Sequence, residues 1–216
     1  MCIGPPPTGV YHPSEAPRPP LHLLLLLSSL PTLAALRDKD LELLRDSIAP
    51  MVEEAAGRKF QSVPQVETTP ASGIGEVLGK ENAGLAYLFF PGLGPSALRA
   101  FDVLSRRSGA RLLGKYGLFD QTVYLRSDLS SAWKKALRAD GKEAETDPQA
   151  LAGCMLAHEL THALQAENSP LEKIAQGGDF EALAAWNTLA EGHAMWSSRT
   201  SGPTFPGMPI SSRPFS

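Results

Sequence analysis

At 216 residues, 43% hydrophobic and 20% charged, the chain has the length and composition of one globular domain with a sizeable core. A formal net charge of −3 with interspersed signs leaves no basic stripe, which argues against nucleic acid as a partner. Only Cys2 and Cys154 occur, so a disulfide framework is excluded as a source of stability.

Met1 to Pro20 carries seven prolines and few large apolar residues, the composition of a disordered segment. Leu21 to Leu30 is a leucine block, followed by Pro31 and the small-residue stretch Thr32-Leu33-Ala34. Its length is that of a signal-peptide apolar region, and Pro31 makes it too short for a membrane span. Export is therefore expected (periplasmic, extracellular or membrane-attached), with membrane contact only through residues 21–35. Against export, Arg18 is the only strong cation ahead of the block, and a cytoplasmic chain with this helix packed on the domain is the alternative. Residues 1–36 are thus set apart from a folded domain over 37–200 and a Pro, Gly and Ser-rich tail over 201–216.

Arg37 to Gly57 places Leu41, Leu43, Leu44, Ile48, Met51, Val52 and Ala55 at helical spacing among charged residues, an amphipathic helix with Pro50 as a possible kink. Phe60 to Thr68 is expected as an edge strand around Pro64. Ala71 to Lys80, rich in glycine, predicts a short helix or turn, and Leu85 to Phe90 an apolar run that ends at Pro91-Gly92. Ser96 is expected to cap a helix to about Ser105. Ala110–Tyr116 and Thr122–Leu125 predict a hairpin turning near Phe119-Asp120-Gln121, and Ser127-Asp128 a helix start running to Ala139.

The chemistry lies further on. Asp147-Pro148 supplies an N-cap and a first-position proline for a helix that contains His158-Glu159-Leu160-Thr161-His162. Residues four apart share a helix face, so both imidazoles can bind one zinc ion, and Glu159 can reach a metal-bound water as general base. A core helix whose histidines merely find hydrogen-bond partners is the plainer alternative. Cys154, four residues before His158, is expected as a buried, inert thiol. Asn168-Ser169-Pro170 should break the helix, with a turn over Leu171–Gln176.

Catalytic zinc takes three protein ligands and water. Asp179 to Ser197 predicts a second helix bearing Leu189-Ala190-Glu191-Gly192-His193-Ala194. Glu191 and His193, two apart, point roughly 200° from each other, so both cannot face one ion. Asn187 and Thr188 fall on the Glu191 face, placed to hydrogen-bond a carboxylate or steady a histidine, whereas His193 groups with Trp186, Leu189 and Ala190. Periodicity alone leaves the third ligand open between them.

His158 to Gln165 (HELTHALQ) followed by Leu189 to Ala194 (LAEGHA) resembles the gluzincin zinc metallopeptidases. That resemblance implies an α+β, zincin-like domain, mostly helical, with a small sheet or hairpin beside the motif helix. It also implies Zn2+ held by His158, His162 and Glu191, with Glu159 as base and a peptide or protein as substrate. His193 is then a cleft residue able to steady an oxyanion. Tyr116 and Tyr124 belong to a hairpin that is either a substrate rest by strand addition or a plain structural element. The chain departs from the family at Met195, where many gluzincins carry an aspartate that orients a histidine. The resembling proteins run longer, so a truncated chain is expected. The competing function is a catalytically weak or inactive zincin-like module for metal binding or interaction.

Overall fold

The computed structural model describes residues 38–90, 92–141, 147–167 and 169–201. The Pro-rich segment and leucine block, Pro91, residues 142–146, Asn168 and the tail from 202 onward, with the expectations attached to them, lie outside the described residues.

Helix α1 (Asp38–Ala56) lays Leu41, Leu44, Ile48 and Val52 into the core and ends at Gly57, whose φ of +64° is the left-handed conformation glycine tolerates best. Strand β1 is shorter and later than expected, Gln65–Thr69 instead of Phe60–Thr68. The N–H groups of Phe60 and Gln61 are given to the carboxylates of Glu53 and Glu167, and Pro64 has none to give, so no ladder forms before Gln65.

The expected short helix after it is in fact the 19-residue α2 (Ala71–Phe89), which also takes in the apolar run from Leu85. Its glycines lower helix propensity, yet they let α3 (Pro95–Gly109) pack closely. A β-carbon on Gly75 would stand 2.5 Å from the Arg106 carbonyl oxygen, and one on Gly109 2.8 Å from the Gly75 α-carbon. α3 is capped by Gly94 with Pro95 in its first turn, not by Ser96, and that same glycine contact lies four residues past the expected end.

Strands β2 (Gly114–Gly117) and β3 (Thr122–Arg126) form the expected hairpin, with Gln121 at φ +56° in its turn. The sheet order is β1-β3-β2, with β1 parallel and β2 antiparallel to the central β3. Helix α4 (Leu129–Ala139) follows; the Asp128 carboxylate at its start is held by Arg126 and makes no cap bond.

Helix α5 (Pro148–Ala166) opens as expected, the Asp147 carboxylate accepting the Gln149 N–H at 3.1 Å. Leu151, Leu156 and Leu160 are buried and join α1 and the sheet in one core, and Leu164 is buried as well. Leu171–Gly177 is a short helix, α6, where a turn was expected. α7 (Phe180–Ser201) starts where the Asp179 carboxylate takes the Ala182 N–H at 2.8 Å. The architecture is α+β: mostly helical with one small three-stranded sheet, α5 lying between α1, α7 and the sheet. Among the described residues, no helix is long and apolar enough to cross a membrane.

Candidate metal centre

One helical turn on α5 separates His158 from His162, and their ring centroids are 4.7 Å apart. The two Nε2 atoms approach to 3.1 Å. From α7, Glu191 brings Oε2 to 3.5 Å from His158 Nε2 and Oε1 to 3.5 Å from His162 Nε2. Among the described residues this is the one grouping of His, Cys, Asp or Glu that could hold an ion, its ligand atoms all within 4.8 Å of one another.

The donor set fits zinc. Zn–N bonds of about 2.0–2.1 Å at tetrahedral angles require nitrogens roughly 3.3 Å apart, close to the observed spacing. Hydrogen bonds from His158, then from His162, hold the Glu191 carboxyl well below the usual carboxylate range, against the effect of burial. Burial pushes the His162 imidazole down, but its bond to Glu191 and the charges of Glu159 and Glu191 outweigh this, leaving it raised.

Glu159 turns to the sheet. It is 6% exposed, and its Oε2 accepts the Tyr116 N–H of β2 at 2.8 Å. Gly114 makes room for it: a β-carbon there would stand 3.2 Å from both Cγ and Oε1 of Glu159. His158, Glu159, His162 and Glu191 line one cavity of about 610 Å³. Leu85 and Phe89 of α2, Phe90 just after it and Phe101 of α3 give its lining an apolar part, beside Glu81 and Asn82.

The other expected site residues separate cleanly. Asn187 and Tyr116 line the cavity; Thr188 and Tyr124 do not. Thr188 hydrogen-bonds the Ala184 carbonyl of its own helix, one turn back, and so is not a support for the ligands. Tyr124 donates its hydroxyl to Asp120 at 2.9 Å, and burial and that bond push it up to about 12. His193 opens instead on a second cavity with Trp186 and Leu189, its ring stacked on Trp196, so the cleft role expected for it is not supported. Gly192 has nothing within 4 Å of where a β-carbon would sit. Met195 is 51% exposed, so that position orients neither histidine. Cys154 is partly buried beside the Ser198 carbonyl, and burial raises its thiol.

β2 is the edge strand next to α5, yet its outward groups at Tyr116 are engaged. The N–H goes to Glu159, and the carbonyl accepts from the Lys115 ammonium, which also pairs with Glu81 Oε2 at 2.9 Å. Strand addition is therefore not open at Tyr116 as the protein stands. Glu81, 3% exposed in α2, also accepts the Leu118 N–H. Sequence reasoning missed Glu81, Lys115 and Gln165. The available signals were a lone acid inside the apolar face of α2 and a glutamine three residues past His162 on the same helical face.

No family model, curated protein or solved structure matches the chain.

Proposed function

We propose that this chain is a zinc-dependent peptidase of gluzincin type, in which His158, His162 and Glu191 would hold the metal. A zinc ion there would supply Lewis acidity, polarising a carbonyl and lowering the pKa of water toward ~7. Glu159 is the general base. Anchored by the Tyr116 N–H, its carboxylate is fixed on the cavity wall beside the ligand group. It takes a proton as the water oxygen bonds to the scissile carbonyl carbon, then passes that proton to the amide nitrogen as the C–N bond breaks. Carboxylic acid and amine are the products, and the substrate is a peptide or protein.

The observation that carries this reading is the convergence of two imidazoles and one carboxylate within 4.8 Å, with a buried carboxylate on the same cavity. The test is metal analysis of purified protein, paired with a broad peptide-cleavage assay on wild type and Glu159→Gln. Absence of stoichiometric zinc would overturn it.

One observation favours a second reading, a metal-binding module without turnover: the edge strand is engaged by the protein's own Glu159 and Lys115. Zinc binding with no cleavage by wild type would select it.

A further inference from the structure

Gln165 joins the two ligand-bearing helices, and its bonds can be assigned atom by atom. Its Nε2 lies 3.0 Å from the Ala190 carbonyl oxygen, an atom that only accepts. The amide nitrogen must therefore face α7, which leaves Oε1 facing His162 Nδ1 at 3.0 Å. Oε1 accepts only, so Nδ1 of His162 carries a proton, and Nε2, which faces His158 and Glu191, is the nitrogen left to bind an ion. The second N–H of Gln165 reaches His193 Nδ1 at 3.1 Å. All three hydrogens and lone-pair sites that the amide needs to use are thereby committed, one to α5 and two to α7.

From this geometry we propose that Gln165 is the positioning residue of the centre. It holds a proton on His162 Nδ1, which leaves Nε2 as the ligating nitrogen, and it ties that imidazole to the carbonyl of Ala190, the residue preceding Glu191. One side chain thus fixes a ligand on α5 and the helix turn that delivers the ligand on α7. The proposal rests on the metal reading above, but its His162 hydrogen bond does not require metal. Outer partners of this kind typically contribute 10- to 100-fold in metal affinity.

The test uses the full chain with Gln165→Leu, which keeps the bulk and removes every bond, and Gln165→Glu, which keeps the acceptor for His162. In metal-free wild type, nitrogen NMR of the histidines should show His162 Nδ1 protonated and hydrogen-bonded; Gln165→Leu should lose that bond and Gln165→Glu retain it. Zinc titration should show at least tenfold weaker binding for Gln165→Leu at an unchanged metal-free melting temperature, with Gln165→Glu recovering the part carried by His162 but not the tie to Ala190. An unchanged Nδ1 hydrogen bond and unchanged affinity in Gln165→Leu would overturn the proposal. So would a fall in affinity that only tracks a lower melting temperature and is not rescued by Gln165→Glu. If wild type binds no zinc, the metal reading fails, while the NMR comparison still decides whether Gln165 sets His162.

Discussion

The main-chain N–H of Tyr116 donates to Oε2 of Glu159 at 2.8 Å, tying the edge strand of the sheet to the helix that bears both histidines. The carboxylate is therefore positioned by the backbone of β2, and Gly114 keeps that approach open. Gly114→Ala would bring a methyl group to 3.2 Å from Glu159 and 3.1 Å from the Leu125 Cδ2 atom, so one of them must shift by a few tenths of an ångström. Zinc binding should survive, while turnover falls about tenfold, since small misplacements of a reacting group are costly. Turnover equal to wild type, measured on protein with full zinc, would show that the fit between Gly114 and Glu159 does not matter.

Glu159→Gln removes the base and preserves the shape. Zinc content should stay at one per chain while hydrolysis drops by about 10²–10⁴. Loss of metal together with activity would mean Glu159 is a ligand.

Single replacement of His158 or His162 by alanine should abolish stoichiometric zinc, and Glu191→Ala should weaken it at least tenfold. His193→Ala should have a smaller effect than Glu191→Ala, because His193 reaches the centre only through Gln165. Calorimetric titration that reverses the order of Glu191 and His193 would require a different third ligand.

Two glycines in helices should respond to alanine with opposite signs. At Gly192 nothing lies within 4 Å, so Gly192→Ala should raise unfolding free energy by up to about 1 kcal/mol through helix propensity alone. At Gly75 the new methyl would meet the Arg106 carbonyl at 2.5 Å, and overpacking of about 1–3 kcal/mol should exceed that gain. Urea denaturation of both variants checks the signs; stabilisation by Gly75→Ala would mean that α3 yields freely.

The motif helix was legible because its signals are local: Asp147-Pro148 starts it, and the histidine spacing fixes a shared face. The hairpin was legible from two apolar runs about a turn. α2 was not, because Gly75 and Gly79 read as breakers until the packing of α3 against them is known. The face shared with Glu191 brings Asn187 to the cavity, while Thr188 bonds its own helix, since hydrogen-bonding capacity says nothing about whether a hydroxyl is spent locally. Gln165 lay inside the motif that was read, but two of its three partners are 25 and 28 residues downstream, which no local pattern reveals.

The topology separates the helices that bear His158, His162 and Glu191 from the segment that supplies the cavity's apolar lining. β1 ends at Thr69, whose carbonyl accepts the Ser127 N–H, and β2 is reached through Leu113, whose carbonyl accepts the Arg126 N–H. The α2–α3 hairpin thus leaves and rejoins the sheet at neighbouring points on either side of the end of β3, while carrying that lining. The histidines and Glu191 sit on helices that come later in the chain. Such an insertion can change in length and side chains while the ligand-bearing helices keep their frame. Diversity in what the cleft admits would therefore accumulate in residues 71–109, and the α5–α7 pair would stay constant.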